Sequence, residues 1–145
     1  IYFGLGPKKG ADGKLAITMP MGDKKLPGIA AADIGKCALG VFKAGEEYIG
    51  KTIGIAGEHL TIKETADAFS KVLGEKVEYN EVPPEVYRSF DFPGADDMGN
   101  MFQFKRDFEE EYCASRDIDL SRKLNPALLS FDEWLNQHKD LITTE

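Results

Sequence analysis

The stretch EYIGKTIGIAGEHLTIKETADAFSKVLGEKVEYNEV, residues 47–82, decides the fold class of this chain. Its early part, Lys51–Gly57, is a compact β-prone run that predicts a buried strand. Thr61 predicts the start of a helix, because Glu64 three residues later completes a capping box. An alternating run over Lys76–Val82 then predicts a second strand. A strand, a helix and a strand within about 30 residues indicate a parallel crossover unit.

The spacing of apolar side chains predicts the buried face of the central helix and two further elements earlier in the chain. Within the central helix they predict one inward face, with Phe69 as its anchor: Ile62, Ala66, Phe69, Val72, Leu73. Full burial of such a side chain contributes about 1.5–3 kcal/mol. The alternation over Leu15–Met19 predicts a half-buried strand. A helix is predicted from Ala31 to just before Gly45, with an inward face formed by Ile34, Cys37, Ala38, Val41 and Phe42.

The pattern as a whole predicts an α/β fold with a few strands followed by a mainly helical C-terminal region, which begins after Pro83–Pro84. Lys and Arg number 18 against 25 Asp and Glu, and the net charge of −7 disfavours nucleic acid and an anionic membrane surface as partners. No apolar run reaches the roughly 18 residues that a membrane span needs. Cys37 and Cys113 are predicted to be reduced thiols rather than a disulfide.

A phosphate-binding loop is not recognisable in this chain. The nearest candidate, FGLGPKKG, has Gly4, Gly6 and Gly10, but the third glycine is one position late and Pro7 lacks an amide. A dinucleotide site needs glycines at a fixed spacing between a strand and a helix N-terminus. This segment is therefore predicted to be a structural loop.

The sequence also has no recognisable catalytic pair and no recognisable metal-binding motif. No Tyr is followed four residues later by Lys, which is the pair that lowers the phenol pKa in short-chain reductases. Tyr48 and Lys51 are three apart and are predicted only to pack together. His59 and His138 have no companion at ligand spacing, so both are predicted to be structural. We predict no catalytic residue and no metal site.

A stripe of methionine and aromatic side chains is the most ambiguous feature: Met98, Met101, Phe102, Phe104, Phe108. Core packing is the first interpretation, and a lid or partner surface is the second, because Met and Phe are adaptable apolar groups. Four of them are assigned to a candidate partner or cleft surface: Met98, Met101, Phe102, Phe104. Asp96–Asp97 are predicted to complement a helix dipole, and Glu109–Glu111 to form a solvated face.

The sequence resembles the NmrA-like family of atypical short-chain dehydrogenases. The resemblance is carried by ADIGKCALGVFK, by YIGKTIGIAGEHLTIKETADAFSKVLGEKVEYNEVPPEVY, and by FPGADDMGNMFQF and RDIDLSRKLNPALLSFDEWLNQHK. It covers nearly the whole chain. It implies that residues 1–145 form the C-terminal part of a Rossmann-like fold, and that the NADP(H)-binding half with its glycine-rich loop lies upstream.

The resemblance also implies a function. The family pattern YFEN is kept here only as Tyr2 and Phe3, which become the candidate cofactor-proximal residues. We expect a non-catalytic, NADP(H)-responsive redox sensor that acts through protein partners in the cytoplasm, with the nucleus as a second location. This chain alone is not expected to hold the cofactor tightly.

Two alternatives stay open: an NAD(P)H-dependent reductase whose catalytic residues lie upstream, and a freestanding protein-binding domain. Because sheet edges pair with other chains, the isolated chain is expected to be dimeric or prone to aggregation.

Overall fold

The computed structural model describes residues 5–144 and shows a mixed α/β architecture with short strands and many helices. The elements in chain order are β1 (Lys8–Lys9), β2 (Leu15–Met19), β3 (Lys25–Gly28), α1 (Ala31–Lys43), β4 (Glu58–Thr61), α2 (Ile62–Leu73), β5 (Val77–Glu81), α3 (Pro84–Arg88), α4 (Ala95–Asp107), α5 (Glu109–Ala114), α6 (Ile118–Leu124) and α7 (Phe131–His138). No helix within these residues is long and apolar enough to cross a membrane.

The larger sheet has three strands in the order β1-β2-β5. Strands β2 and β5 are parallel, with Leu15 opposite Val77 and Met19 opposite Glu81. The short β1 pairs antiparallel with β2 along its other edge. The alternation in Leu15–Met19 is confirmed, because its alternate side chains are buried.

The crossover prediction is wrong in its first strand. Residues 51–57 form no strand, and β4 begins only at Glu58. That strand pairs antiparallel with β3 in a separate two-stranded sheet, so β4 and β5 do not share a sheet. A β-prone run becomes a strand only where a neighbour accepts its backbone hydrogen bonds, and β5 takes β2 as its neighbour instead.

Helix α2 is confirmed in its start, its end and its buried face. Thr61 Oγ1 accepts a hydrogen bond from the Glu64 amide at 3.2 Å, and the Glu64 carboxylate accepts one from the Thr61 amide at 2.8 Å. Gly74 ends the helix in the left-handed region, with φ of 68°. Phe69 is fully buried and meets the ring of Phe131 edge-on at 5.5 Å. It is the anchor of the main core, which lies between the β1-β2-β5 sheet, α2 and α7.

Helix α1 is rotated from its predicted face. Cys37 is buried as predicted, but Ile34 and Phe42 are exposed, Phe42 by 79%. The inward side is formed instead by Asp33, Cys37 and Gly40, which pack against α6 and a second small core around Leu124 and Leu128. A Cβ on Gly40 would lie 2.2 Å from the Leu124 carbonyl oxygen, so the two backbones touch there.

Both cysteines are free thiols, as predicted. Cys37 is buried in the second core and donates to the Ser121 carbonyl at 3.7 Å. Burial, followed by the neighbouring charge of Asp33, raises the pKa of the Cys37 thiol. Burial, and the charge of Glu109, raise the pKa of Cys113. Neither group is therefore poised as a thiolate nucleophile.

Buried Asp33 joins α1 to the segment before α7. Its carboxylate accepts a hydrogen bond from the Leu129 amide at 2.9 Å and from Lys36 Nζ at 2.8 Å. Burial favours the neutral acid, but these hydrogen bonds outweigh that effect and hold the pKa of Asp33 below its usual value of 3.8.

The replacement Asp33→Asn tests this link. We expect it to lower the free energy of unfolding at pH 7 by about 1–3 kcal/mol, because the buried donors lose a charged acceptor. Since the folded pKa lies below the unfolded one, this stabilisation is complete above pH 3.8 and is lost as pH falls through the folded pKa. Urea unfolding of both proteins across that range measures the difference.

Asp67→Asn is the matched control. Asp67 pairs with Lys63 at 2.8 Å on an exposed helix surface, and such pairs contribute only a few tenths of a kcal/mol. An equal loss in the two variants would contradict the assigned role of Asp33.

Candidate functional site

The candidate site lies on α4 and α5, where the chain bends at Phe108. The helical path is interrupted at Phe108, whose φ and ψ are −117° and 36°. Asp96 and Asp97 lie in the first turn of α4, as predicted from the helix dipole.

Three exposed apolar side chains and one half-buried tyrosine lie along this part of the chain, and we call them the aromatic surface: Met101, Phe104, Phe108, Tyr112. Phe104 is 54% and Phe108 is 50% exposed. Their rings lie 5.0 Å apart, and Phe104 also meets Tyr112 edge-on at 6.5 Å. The spacing of three, four and four residues keeps these side chains on one side of the two helices.

Tyr112 at one end of the aromatic surface is held by two cations. Arg116 Cζ lies 3.6 Å from the centre of its ring, and Lys105 Nζ lies 5.5 Å from it. Arg116 also donates to the Tyr112 carbonyl at 2.9 Å. Cation–π contacts of this kind contribute about 0.5–1 kcal/mol each at exposed sites, so they hold the ring in one orientation.

An acidic cleft of about 410 Å³ opens beside the helix interruption. It is lined by Gly22, Asp23, Lys24, Arg106, Asp107, Glu109, Glu110 and Glu111, which carry five carboxylates and two cations. Glu109 accepts from the Lys25 amide at 2.8 Å and pairs with Lys24 at 3.5 Å. The predicted solvated face of Glu109–Glu111 is thus wrong for Glu109, which fastens α5 to the turn before β3.

The predicted surface residues separate into two groups. Phe102 is only 1% exposed, so assigning it to an accessible surface is wrong; its ring packs edge-on against Tyr87 at 5.6 Å. Met98 is half-buried against the main core. Met101 and Phe104 do reach solvent, and their role stays a prediction. The cofactor-proximal candidates Tyr2 and Phe3 lie outside the described residues.

Phe108 and Tyr112 belong to the aromatic surface although neither was assigned to it from sequence. Phe108 lies on the side of the helix that carries Phe104, four residues earlier, and Tyr112 follows after four more residues. No glycine or proline marks the interruption at Phe108. The four-residue spacing of Phe104, Phe108 and Tyr112 is the one clue that could have grouped them.

The other titratable candidates have structural contacts. His59 Nε2 donates to the Arg116 carbonyl at 2.9 Å, and His138 Nδ1 donates to the Trp134 carbonyl at 2.8 Å. Lys51 Nζ lies 5.7 Å from the ring centre of Tyr48, a packing contact. Burial raises the pKa of Tyr79, and likewise of Tyr87, away from the range a catalytic phenol needs. Within residues 5–144, no three His, Cys, Asp or Glu side chains are placed so that together they could hold a metal ion.

Solved structures define the class of fold. The chain matches the negative transcriptional regulator NmrA with a TM-score of 0.72 and 22% identity, covering 94% of this chain and 48% of that one. NmrA in complex with NADP matches with a TM-score of 0.69 and 20% identity over the same shares. A Citrobacter triphenylmethane reductase matches with a TM-score of 0.68 and 22% identity, over 84% and 43% of the two chains. The architecture is therefore that of a Rossmann-like NAD(P)-binding protein, over about half of the length of NmrA.

The family follows from the sequence matches. The NmrA-like family model matches residues 3–135, and the chain belongs to that family. NmrA-like family domain-containing protein 1 of Rattus norvegicus is 32% identical over 98 residues, 68% of this chain and 45% of the relative. Prestalk A differentiation protein A of Dictyostelium discoideum is 26% identical over 104 residues, 67% and 34% of the two. The chain thus spans less than half of either relative.

Truncating two neighbouring phenylalanines tests the division between core and surface. Phe102→Ala should lower the free energy of unfolding by about 3–5 kcal/mol, because it leaves a cavity beneath α3 and α4. Phe104→Ala should cost less than about 1 kcal/mol, because its ring is half in water already. Chemical denaturation of both variants gives the comparison. Similar losses would show that the aromatic surface is part of the core.

Proposed function

We propose that this chain is the partner-binding, non-catalytic part of an NADP(H)-responsive regulator of the NmrA-like family, and that it acts through other proteins. The observation that carries the proposal is the aromatic surface, an exposed apolar cluster on a chain that lacks the Tyr–Lys pair of reductases. Residues 1–145 then correspond to the C-terminal part of the regulator, downstream of a Rossmann half.

The physical case for partner binding rests on the cost of exposing the aromatic surface. Apolar area in water is unfavourable by about 25 cal/mol per Å², and two half-exposed phenylalanines in contact concentrate that cost at one place. Aromatic side chains fixed by their neighbours lose little entropy on binding and are common anchors of protein interfaces. Phe104 and Phe108 meet this description, with Tyr112 held beside them by Arg116.

The cofactor is proposed to be NADP(H), held by a glycine-rich loop outside residues 1–145, with Tyr2 and Phe3 close to it. NmrA, which shares the fold, has been solved with NAD and with NADP. In FGLGPKKG, Gly6 is followed by strand β1 and Gly10 by the turn before β2, not by a helix whose N-terminus could face a phosphate. That arrangement supports a cofactor site elsewhere. We place the regulator in the cytoplasm, with the nucleus as a second location.

The second candidate is an NAD(P)H-dependent reductase of the same family. The observation in its favour is the similarity to triphenylmethane reductase, which extends over 84% of this chain. Its general acid would then lie in the upstream half, because the chain itself offers no Tyr–Lys pair. Turnover separates the two functions, since both require the cofactor to bind.

Calorimetric titration with NADPH tests where the cofactor binds. The 145-residue chain should give no binding in the micromolar range. A chimera, in which the segment of the rat relative preceding the matched region is joined to residue 1, should bind NADPH. Micromolar binding to the chain alone would contradict the proposed location of the phosphate site.

The chimera also decides between regulator and reductase. We expect no oxidation of NADPH above the buffer rate when triphenylmethane dyes or simple carbonyl compounds are supplied. Steady consumption of NADPH with stoichiometric reduced product would establish the reductase instead.

Charging the aromatic surface tests the partner role. Proximity labelling of the chimera in cells should capture some proteins in amounts that change with the NADPH/NADP⁺ ratio. Phe104→Asp should abolish the capture of these proteins, because the new carboxylate must be desolvated in the interface. Leu141→Asp is the matched control, since Leu141 is also exposed, at 76%. NADPH binding should be unchanged in both variants. Retention of the same neighbours by Phe104→Asp would refute the assigned surface.

A further inference from the structure

The acidic cleft beside the helix interruption holds more negative charge than its own cations neutralise. Five carboxylates and two cations line it. The first cation, Lys24 Nζ, lies 3.5 Å from the Glu109 carboxylate, and the second, the Arg106 guanidinium, lies 2.9 Å from the Asp107 carboxylate. Each cation is therefore already paired with a carboxylate of the cleft itself, and the other carboxylates of the cleft are left over.

The carboxylates left over belong to Asp23, Glu110 and Glu111, which are exposed. Within residues 5–144, none of the three takes part in a salt bridge. Like charges gathered in one cleft repel one another, and the protein walls focus their field on the space between them. A cation supplied by another molecule is therefore the group that this cleft favours.

The aromatic surface adjoins the cleft along the chain. Phe108 stands between Asp107 and Glu109, and both of these acids line the cleft. Its half-exposed ring lies 5.0 Å from the ring of Phe104. A ligand that covers the cleft and these rings together must carry a cation next to an apolar group. A free inorganic ion meets only the first of these requirements, whereas a segment of a protein meets both.

The two ends of α5 are fixed before any ligand binds. The Glu109 carboxylate fastens one end to the turn before β3. At the other end, a Cβ on Gly54 would overlap the Ser115 carbonyl oxygen, so the two backbones touch without a side chain between them. Ser115 is followed by Arg116, whose Cζ lies 3.6 Å from the ring centre of Tyr112. A surface that is ordered in advance loses little entropy when it binds a ligand.

Arginine is the cation that suits this combination of groups. Its planar guanidinium can donate to two carboxylate oxygens at once and can also stack on an aromatic ring. It is more weakly hydrated than the ammonium group of lysine, which lowers the cost of burying it in an interface. The contact of Arg116 with Tyr112 shows that a ring of the aromatic surface already accepts a guanidinium on its face.

We propose that the acidic cleft and the aromatic surface together bind a basic segment of a partner protein, with an arginine beside Glu110 and Glu111 and an apolar side chain on Phe104 and Phe108. The inference rests on the proposed function, in which the aromatic surface meets other proteins, and it specifies the chemistry of the partner. Charge complementarity favours a basic partner over a second copy of this chain, because each copy carries a net charge of −7.

A library of random dodecapeptides displayed on phage tests the partner chemistry. After panning against the 145-residue chain, the selected peptides should be enriched in arginine and should each contain an aromatic or aliphatic residue. The affinity of a selected peptide should fall at least about tenfold when NaCl is raised from about 0.05 to 0.5 M, because salt screens the charges. Selection of peptides without enrichment in arginine, or affinity that salt does not change, overturns the proposal.

Neutralising two carboxylates of the cleft tests the site. Glu110→Gln combined with Glu111→Gln should weaken binding of the selected peptide at least about tenfold, because two of the unpaired charges are removed. Glu46→Gln combined with Glu75→Gln is the matched control, since both acids are exposed and neither lines the cleft. The control should change the affinity less than about twofold. Fluorescence polarisation of the labelled peptide measures both variants, and equal losses would show attraction to the overall charge and overturn the site.

Phe104→Asp provides the second variant for the same peptide. It should abolish binding, because the apolar side chain of the peptide would then meet a charge. Leu141→Asp, at an exposed apolar residue outside the aromatic surface, should leave the affinity unchanged. Binding that depends on the cleft but survives Phe104→Asp would contradict the joint use of the two surfaces.

Proximity labelling distinguishes this inference from the function on which it rests. If Phe104→Asp abolishes capture of the redox-dependent neighbours but Glu110→Gln with Glu111→Gln leaves it intact, the regulatory function is supported and the proposed partner chemistry is wrong. If the peptide binds as described but the chimera does not bind NADPH, the proposed function is wrong and the basic partner is supported.

Discussion

The position of α1 depends on one buried carboxylate. Asp33 is fully buried, and the hydrogen bonds from Lys36 and the Leu129 amide favour its charged form. Leu129 is 96 residues away in the chain, so this contact joins the first helix to the approach of the last. The second core forms under that link, with Ser121 Oγ bonded to the Ala56 amide as a further polar connection. Once the helix is fixed in this rotation, its remaining apolar side chains have no place in the interior.

The two exposed apolar features of the chain therefore have different origins. The outer side of α1 is exposed because a buried acid determines which side faces inward. The aromatic surface is exposed because Phe104 and Phe108 lie on the side of the helix away from the main core, in which Phe102 is buried. By contrast, Phe69 and Phe102 are buried in the main core. Apolar groups left outside for specific geometric reasons are typical of surfaces that meet another macromolecule.

Local features were predictable from sequence to a useful degree. The capping box at Thr61, the end of α2 at Gly74 and the alternation in β2 each depend on residues a few positions apart, and each is confirmed. Strand pairing was not predictable, because β5 could have joined any β-prone neighbour and in fact lies beside β2, 62 residues away at Ala16 and Glu78. The burial of Asp33 runs against hydropathy and depends on a distant amide.

The candidate site was half predictable for the same reason. Met101 and Phe104 were assigned from sequence, and the four-residue spacing of Phe104, Phe108 and Tyr112 could have added the other two. The interruption between α4 and α5 was not predictable, because no glycine or proline marks it. The strand expected over Lys51–Gly57 is instructive in another way. Its composition is that of a strand, and what it lacks within residues 5–144 is a neighbour to accept its hydrogen bonds.

The close approach at Gly54 has a mechanical consequence. A Cβ at this position would overlap the Ser115 carbonyl oxygen, so no side chain separates the two backbones. The residue after Ser115 is Arg116, whose Cζ lies 3.6 Å from the centre of the Tyr112 ring. Contact between main-chain atoms is stiff, because neither partner can yield by rotating a side chain. A displacement of residues 52–55 by even a fraction of an ångström must then be absorbed by the turn that carries Arg116. Such a displacement would therefore also shift Arg116, whose guanidinium carbon lies 3.6 Å from the centre of the Tyr112 ring.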